Sequence, residues 1–414
     1  MILSKKTIIR VSATEANIIG HMTYAASKLW NVCNYERHNY KELGLESAPT
    51  WYTQKKDYKD NIWFKSLPAQ TAQEVCKVLA SSWKSFYALL ASDKSENPNP
   101  PRYKKDGISI TYMQKGIVHK GDTVRLSISK GLRAFMRDNY NIDVQYLYLR
   151  NPCFQSIKNV KQIKLYPPEN NEVRAIIVYE VPNVEPKEDN GKYLSIDLGV
   201  HNFMTCFDSS NGSSFIVGRQ YLSITRKYNK EIARVQAQWS ADQVKHGIEL
   251  PKSSNHIKAL YRKKNDCVSD YLHKITNYIA CYCVEKDIHT VIIGDITGIR
   301  KDKDCGAVAN QSLHALPYLK LRERLEYKLA LRGISLVVQN EAYSSQCSPL
   351  SPCVSKEYAR PQNRVCRGLY KDDGHSWNAD TVGAYNILRL YMQGLGKGAI
   401  EAPLTPPKVI KVAV

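Results

Sequence analysis

The order of short apolar runs between residues 192 and 390 constrains the fold more than any other feature of this chain. Lys192-Tyr-Leu-Ser-Ile-Asp-Leu-Gly199 reads as a strand ending in an acid and a glycine, and Asn202–Phe207 and Ser214–Val217 follow as two more. A long basic stretch with helical spacing then occupies Ile224 to Lys286. Thr290-Val-Ile-Ile293 reads as a buried strand, followed by Gly294 and Asp295. A helix around Leu319–Leu331, a strand at Ile334–Val338 leading to Asn340-Glu-Ala-Tyr343, and a helix across Asn378–Leu388 complete the series. Three strands, a helix, a strand, a helix, a strand and a helix make an α/β domain on one sheet.

That order matches an RNase H-like fold, an arrangement it shares with other α/β domains. The first half is different. Lys5–Val11 reads as a strand, and Ala13–Tyr40 and Ala69–Leu90 have helical spacing, with Pro68 placed where a helix starts. Ser92 to Lys105 is a turn-rich break ending in a basic cluster. Short alternating runs from Ile108 to Val181 predict a small β-barrel or sheet, and Pro182–Gly191 a linker. The tail after Gly394 carries no clear pattern.

With 414 residues the chain is long enough for two to three domains. Its 59 Lys and Arg against 39 Asp and Glu leave a net charge of +20, which favours a polyanionic partner through counterion release. Twenty-seven tyrosines against seven phenylalanines add side chains that stack on bases while offering a hydroxyl. The longest apolar runs, such as Tyr278–Val284, fall far short of the ~20 residues of a membrane span. Eleven scattered cysteines argue for a reducing cytoplasm and against a disulfide framework. The expectation is a cytoplasmic nucleic-acid-binding protein.

Two acids stand out. Metal-assisted phosphodiester hydrolysis needs carboxylates from separate elements converging at one sheet edge. Asp197 ends the apolar strand Tyr193–Ile196; its ordinary reading is a strand-end turn residue. Asp380 opens a helix rich in Gly and Ala; its ordinary reading is an N-cap.

Ile196-Asp-Leu-Gly, Asn310-Gln-Ser with Leu316-Pro, Glu326-Tyr-Lys with Arg332-Gly-Ile, Glu341-Ala-Tyr-Ser-Ser, Arg367-Gly-Leu-Tyr and Asn378-Ala-Asp followed by Gly383-Ala-Tyr-Asn-Ile-Leu resemble TnpB in order and spacing. TnpB is the RNA-guided nuclease of insertion sequences, related to the compact type V CRISPR effectors. Leu67-Pro-Ala-Gln and Pro101-Arg-Tyr-Lys-Lys extend the resemblance, more loosely, into the first half. The resemblance implies a multidomain α/β protein: a β-barrel wedge domain (1–12 and 96–190), a helical recognition insert (13–95), a RuvC-type RNase H-like nuclease domain (191–345 and 376–393), a target-nucleic-acid-binding insert (346–375) and a C-terminal tail (394–414). It also implies a guide RNA, a DNA target beside a short flanking motif, and two Mg²⁺ ions.

The sequence departs from the family pattern at one point. Where relatives carry Glu after the strand Thr290–Ile293, this chain has Gly294 and then Asp295. Successive strand residues point to opposite faces, so Asp295 should aim away from Asp197 and Asp380. Glu341 ends the neighbouring strand, and its longer side chain would reach across a position holding only glycine. Glu341 is therefore the favoured third ligand. Asp295 is the alternative, and a nuclease-dead RNA-guided repressor is the reading if neither serves. A compact CRISPR effector with a separate guide shares the same chemistry.

Relatives carry a zinc ribbon before the last helix. Here Cys347 and Cys353 are six residues apart and Cys366 has no partner three residues away. Cys347, Cys353, Cys366 and His375 would make a Cys₃His zinc site; the other reading is a degenerate insert with free thiols. Arg364 and Arg367 in that insert would clamp a phosphate, or form a solvated loop. Arg102, Tyr103, Lys104 and Lys105, and Arg226 with Lys227, fit nucleic-acid backbone contacts, with exposed solvated faces as the rival reading.

Overall fold

Ser12, two residues past the end of the first strand, caps the first helix. Its hydroxyl accepts from the Glu15 amide at 3.2 Å while the Glu15 carboxylate accepts from the Ser12 amide at 2.7 Å, so two helix-end donors are satisfied reciprocally. The computed structural model describes residues 1–92, 97–248, 253–296, 316–366, 368–398, 400 and 402–413. The chain divides into two compact units, Met1–Pro182 and Asn183–Val414. The motif Asn310-Gln-Ser and Arg367 lie outside the described residues.

In the first unit β1 (Ile2–Arg10) is followed by helices at Ala13–His38, Trp51–Asp57, Ile62–Lys65 and Ala69–Leu90. Then come β2 (Ile110–Met113), β3 (Ile117–Lys120), β4 (Thr123–Ser127), a helix at Lys130–Tyr140, β5 (Tyr146–Arg150), β6 (Val160–Leu165) and β7 (Glu172–Glu180). The strands pair as two sheets, in the orders β1-β7-β6-β2 and β3-β4-β5, every neighbour antiparallel. One core joins both sheets to the helices: Ile9, Ile110 and Ile163 share it with Val124 and Leu149, and with Ile19, Leu29 and Leu79. The β-segment is thus two sheets over a common core, a different closure from one continuously bonded barrel.

The second unit is built on six strands: β8 (Tyr193–Asp197), β9 (Met204–Asp208), β10 (Ser214–Val217), β11 (Thr290–Asp295), β12 (Ser335–Asn340) and, after the hairpin β13 (Tyr370–Asp372) and β14 (His375–Trp377), β15 (Lys408–Ile410). Their order is β12-β11-β8-β9-β10-β15. β8, β11 and β12 run parallel, whereas β9 is antiparallel to β8 and β10. β8 and β11 are covered on both faces, which is why Thr290–Ile293 is buried throughout, whereas β12 at the sheet's edge is only partly covered. Ile292 meets Ala384, Ile387 and Leu388 of the helix Ala379–Gly394 on one face. Val291 and Ile293 share the other face with Leu321, Leu325 and Leu329 of the helix Tyr318–Ala330 and with Ile275 and Ile279. Each such buried aliphatic side chain contributes roughly 1.5–3 kcal/mol.

Two features differ from the expectation. The basic stretch 224–286 holds two helices, Gln220–Lys245 and Asn255–Glu285, the second capped by the Ser254 hydroxyl. The featureless tail returns to the sheet, where Lys408–Ile410 adds in parallel to β10. Among the described residues no helix is long and apolar enough to cross a membrane.

Candidate active site

β8, β11 and β12 present their carboxyl ends at one edge of the sheet, the edge where parallel α/β folds place ligands. Asp197 is the last residue of β8. Its parity is that of Ser195, whose hydroxyl donates to the Ala384 carbonyl at 2.6 Å, so both face the helix Ala379–Gly394. That helix approaches closely because position 383 is glycine. A Cβ there would stand 3.0 Å from Oδ2 of Asp197.

Gly294 occupies the same level on the central strand, and Glu341 follows β12 directly. A Cβ at position 294 would collide with Oε2 of Glu341 and lie 3.0 Å from Cδ1 of Ile387. The glutamate carboxylate therefore fills the space that a side chain on β11 would use. Asp295 has the opposite parity, that of Val291 and Ile293, and is exposed.

The loop that carries Glu341 is held from two sides. The Asn340 carboxamide accepts from the Ala342 amide at 2.9 Å, Tyr343 takes a left-handed conformation (φ 64°), and the Ser344 amide closes on the Glu341 carbonyl at 3.1 Å. Fully buried Asn386 donates to the carbonyls of both Ser344 and Cys347 at 2.8 Å. The asparagine of the Ala-Tyr-Asn-Ile sequence thus ties the last helix to the loop after β12.

Asp380 sits in the first turn of its helix, but the cap is Asn378, whose Oδ1 accepts from the amides of Asp380 and Thr381 at 3.1 Å. This frees the Asp380 carboxylate. Its Oδ1 meets a guanidinium nitrogen of Arg364 at 3.1 Å, and its Oδ2 accepts from Asn202 at 2.7 Å. The Asn202 oxygen accepts in turn from Nε of Arg219 at 2.7 Å.

Glu341 and Asp380 both act electrostatically on Asp197. Burial, then the negative charges of Glu341 and Asp380, push the Asp197 carboxyl up to about 8, opposed by Arg364. A carboxylate so placed is short of positive charge. Among the described residues no three Asp, Glu, His or Cys side chains are already drawn together as a metal cage.

The cysteine insert does not converge. Cys347 is buried and donates to the Ser355 carbonyl at 3.2 Å, and Cys353 lies 3.7 Å from the Ser355 hydroxyl. Cys366 is exposed, and His375 is exposed and stacks on Trp377 at 5.4 Å. The four side chains expected of a Cys₃His site are not grouped. Of the two arginines, Arg364 stands on Asp380, and Arg367 lies outside the described residues.

Arg102, Tyr103 and Lys105 are exposed on a loop of fixed shape. Trp30 donates to the Arg102 carbonyl at 3.1 Å, Asn31 bonds both the carbonyl and the amide of Lys104 at 2.8 and 2.7 Å, and Asn34 donates to the Pro101 carbonyl at 2.8 Å. Tyr103 stacks on His38 at 5.6 Å, and the Lys104 ammonium stands 4.8 Å over the Trp30 ring. Arg226 and Lys227 are exposed on the helix Gln220–Lys245. Arg226 lines a cavity of about 710 Å³ that also reaches Asp380, Asn202 and Arg219. Asn202 and Arg219 were not among the residues expected. An asparagine in an otherwise apolar segment and a lone arginine between strand and helix were their only sequence signals.

Residues 176–300 match a family model described as "Probable transposase" (OrfB_IS605), and residues 318–387 match one described as "Cas12f1-like, TNB domain". Among solved structures, a Cas12f1-sgRNA-target DNA complex is 12% identical with a TM-score of 0.58, covering 93% of this chain and 98% of that one. The mini-RNA-guided endonuclease CRISPR-Cas_phi3 is 11% identical with a TM-score of 0.49, covering 97% and 94%. No curated protein sequence matches. The chain shares the Cas12f1 fold. The two family matches, over residues 176–300 and 318–387, take in most of the motifs that resemble TnpB.

Proposed function

We propose that this chain is an RNA-guided DNA endonuclease of the TnpB type, in which the second unit contains a RuvC-type nuclease domain and Asp197, Glu341 and Asp380 are its metal ligands. The observation that carries the reading is the Glu341 carboxylate standing over Gly294, at the level of Asp197 on the next strand. Three carboxylates offer the hard oxygen donors that Mg²⁺ takes. The raised Asp197 carboxyl fits the same conclusion, because a cation relieves the repulsion among the three. Bound Mg²⁺ ions would polarise the scissile phosphodiester and supply hydroxide at neutral pH.

The chain's own residues do the rest. Gly294 and Gly383 leave room for the acids, Asn386 fixes the loop of Glu341, and Arg226 faces the cavity beside Asp380, where a phosphodiester backbone would run. Arg364 must leave Asp380 for that oxygen to meet a metal, and its guanidinium then suits an incoming phosphate. The Cas12f1 structure noted above holds a guide RNA and target DNA; by that likeness and the +20 charge we assign the same two partners here. Guide pairing would supply the sequence specificity, with the protein reading heteroduplex shape and a short flanking duplex motif.

The test is cleavage of a matched DNA by protein loaded with the RNA that co-purifies with it. Asp197→Ala, Asp380→Ala and Glu341→Gln should each abolish cutting and leave target binding intact, while Asp295→Asn keeps substantial activity. Full activity in Glu341→Gln with loss in Asp295→Asn would move the third ligand to β11. A wild-type protein that binds its target without cutting would leave the repressor reading in its place.

A further inference from the structure

The two oxygens of Asp380 are held in different ways. Oδ1 faces Arg364, a cation on a side chain 36% exposed, by an ion pair that solvent and an incoming cation can displace. Oδ2 accepts from Asn202, which is 9% exposed and at hydrogen-bond length, 2.7 Å. A carboxamide can turn either its oxygen or its nitrogen toward a neighbour. Here Arg219 decides the matter, because its Nε donates to the Asn202 oxygen at 2.7 Å and leaves the NH₂ group toward Asp380. Arg219 itself sits where β10 passes into the helix Gln220–Lys245, with Gly218 before it in a left-handed conformation (φ +95°) that a side chain would strain.

We infer that Asn202 and Arg219 are positioning residues that orient Asp380 for a divalent cation, an assignment that rests on the three-carboxylate reading. Asn202 fixes one oxygen with a neutral donor and leaves the carboxylate its full charge. The other oxygen stays exchangeable between Arg364 and a metal. A lysine or arginine in the place of Asn202 would compete with the cation for the same charge, whereas a guanidinium one residue further back orients without competing. Partners that orient a ligand in this way commonly contribute 10–100-fold in metal affinity or activity.

The experiment uses the full chain. Mn²⁺ binding is followed by electron paramagnetic resonance. Separately, the guide-loaded protein is assayed for the Mg²⁺ concentration needed for cleavage and for target affinity in EDTA. Asn202→Ala and Arg219→Ala should each weaken Mn²⁺ binding about 10–100-fold and raise the Mg²⁺ requirement to match, with target affinity in EDTA unchanged. Arg219→Lys, which can still donate to the Asn202 oxygen, should recover most of the loss. If Asn202→Ala lowers the melting temperature, the two Arg219 variants carry the test alone. Wild-type Mn²⁺ affinity in both alanine variants overturns the inference. So does a fall in target affinity in EDTA with a salt slope smaller by about 0.9, which would make Arg219 a phosphate contact. An Asp380→Asn control that keeps both Mn²⁺ binding and cleavage would instead overturn the three-carboxylate reading itself.

Discussion

Adding one methyl group at position 294 separates Glu341 from its rivals as the third acid. The Cβ of Gly294→Ala falls on the space held by Oε2 of Glu341 and 3.0 Å from Cδ1 of Ile387. To regain ordinary contact the carboxylate must retreat by about 1 Å, which it can do because it is the end of a flexible side chain. Ile387 is fully buried and cannot move as freely, so crowding costs up to ~1–3 kcal/mol. Alanine in a strand returns roughly 0.5–1 kcal/mol of that by restricting the unfolded chain. Stability should fall by no more than about 2 kcal/mol, and the protein stays folded at assay temperature.

Catalysis should respond far more strongly, because displacing a reacting group by 1 Å costs about 10²-fold. The assay is single-turnover cleavage of a labelled duplex at saturating Mg²⁺, with melting temperature and target affinity measured in parallel. The expected result is a loss of about two orders of magnitude with binding unchanged. In a double-mutant cycle, Glu341→Gln should then add little to Gly294→Ala, since both act on one carboxylate. Near-wild-type cleavage by Gly294→Ala would refute the reasoning, because a bystander glutamate would simply step aside.

Asn386→Leu keeps the volume of the buried side chain but strands the carbonyls of Ser344 and Cys347; differential scanning calorimetry should record a loss of about 1–3 kcal/mol, and neutral stability would refute the tie. In metal-free protein the Asp197 carboxyl, raised from 3.8 to about 8, favours the folded state fully below pH ~4 and progressively less as pH climbs to 8. The stability of wild type relative to Asp197→Asn should therefore fall across that window by up to roughly 6 kcal/mol, less where water at the sheet edge screens the acids; a flat difference would refute their convergence. Metal analysis of protein purified without chelator should find well under one zinc per chain, because Cys366 and His375 do not join Cys347 and Cys353; one zinc per chain, lost in Cys366→Ser, would refute this.

The second half of the fold was legible because strands buried on both faces write themselves as unbroken apolar runs. Thr290–Ile293 needs no partner to be recognised. Strand Lys408–Ile410 was not legible: three residues paired only at the sheet's edge leave no periodicity, and its register comes from contact with β10. The two sheets of the first unit were legible as strands but not as pairings, because alternation gives a strand's faces and says nothing of its neighbours. At the site, parity alone separated Gly294 from Asp295. The rival reading of Asp380 as a helix cap fails by two residues: Asn378 is the cap, a distinction that residue type alone does not make. Asn202 and Arg219 act through each other, and a hydrogen bond between two turns leaves no spacing to read.

The geometry at Gly294 also gives a physical reason why a ligand can change strands without the site changing shape. Neighbouring strands lie about 4.8 Å apart, and a glutamate side chain spans nearly that distance from Cα to carboxylate. A carboxylate rooted at the end of β12 can therefore reach a point that a side chain on β11 would also reach, provided β11 offers no Cβ at that level. Glycine at 294 is that provision, and the overlap between its absent Cβ and the Glu341 oxygen marks the point. The two positions exclude each other sterically, so a glutamate at 294 and one at 341 could not both address the point unless one turned away. In the proposed site, Gly294 and Glu341 thus make a single unit: the glycine is as much a requirement of the metal ligand as the carboxylate, although it touches no metal.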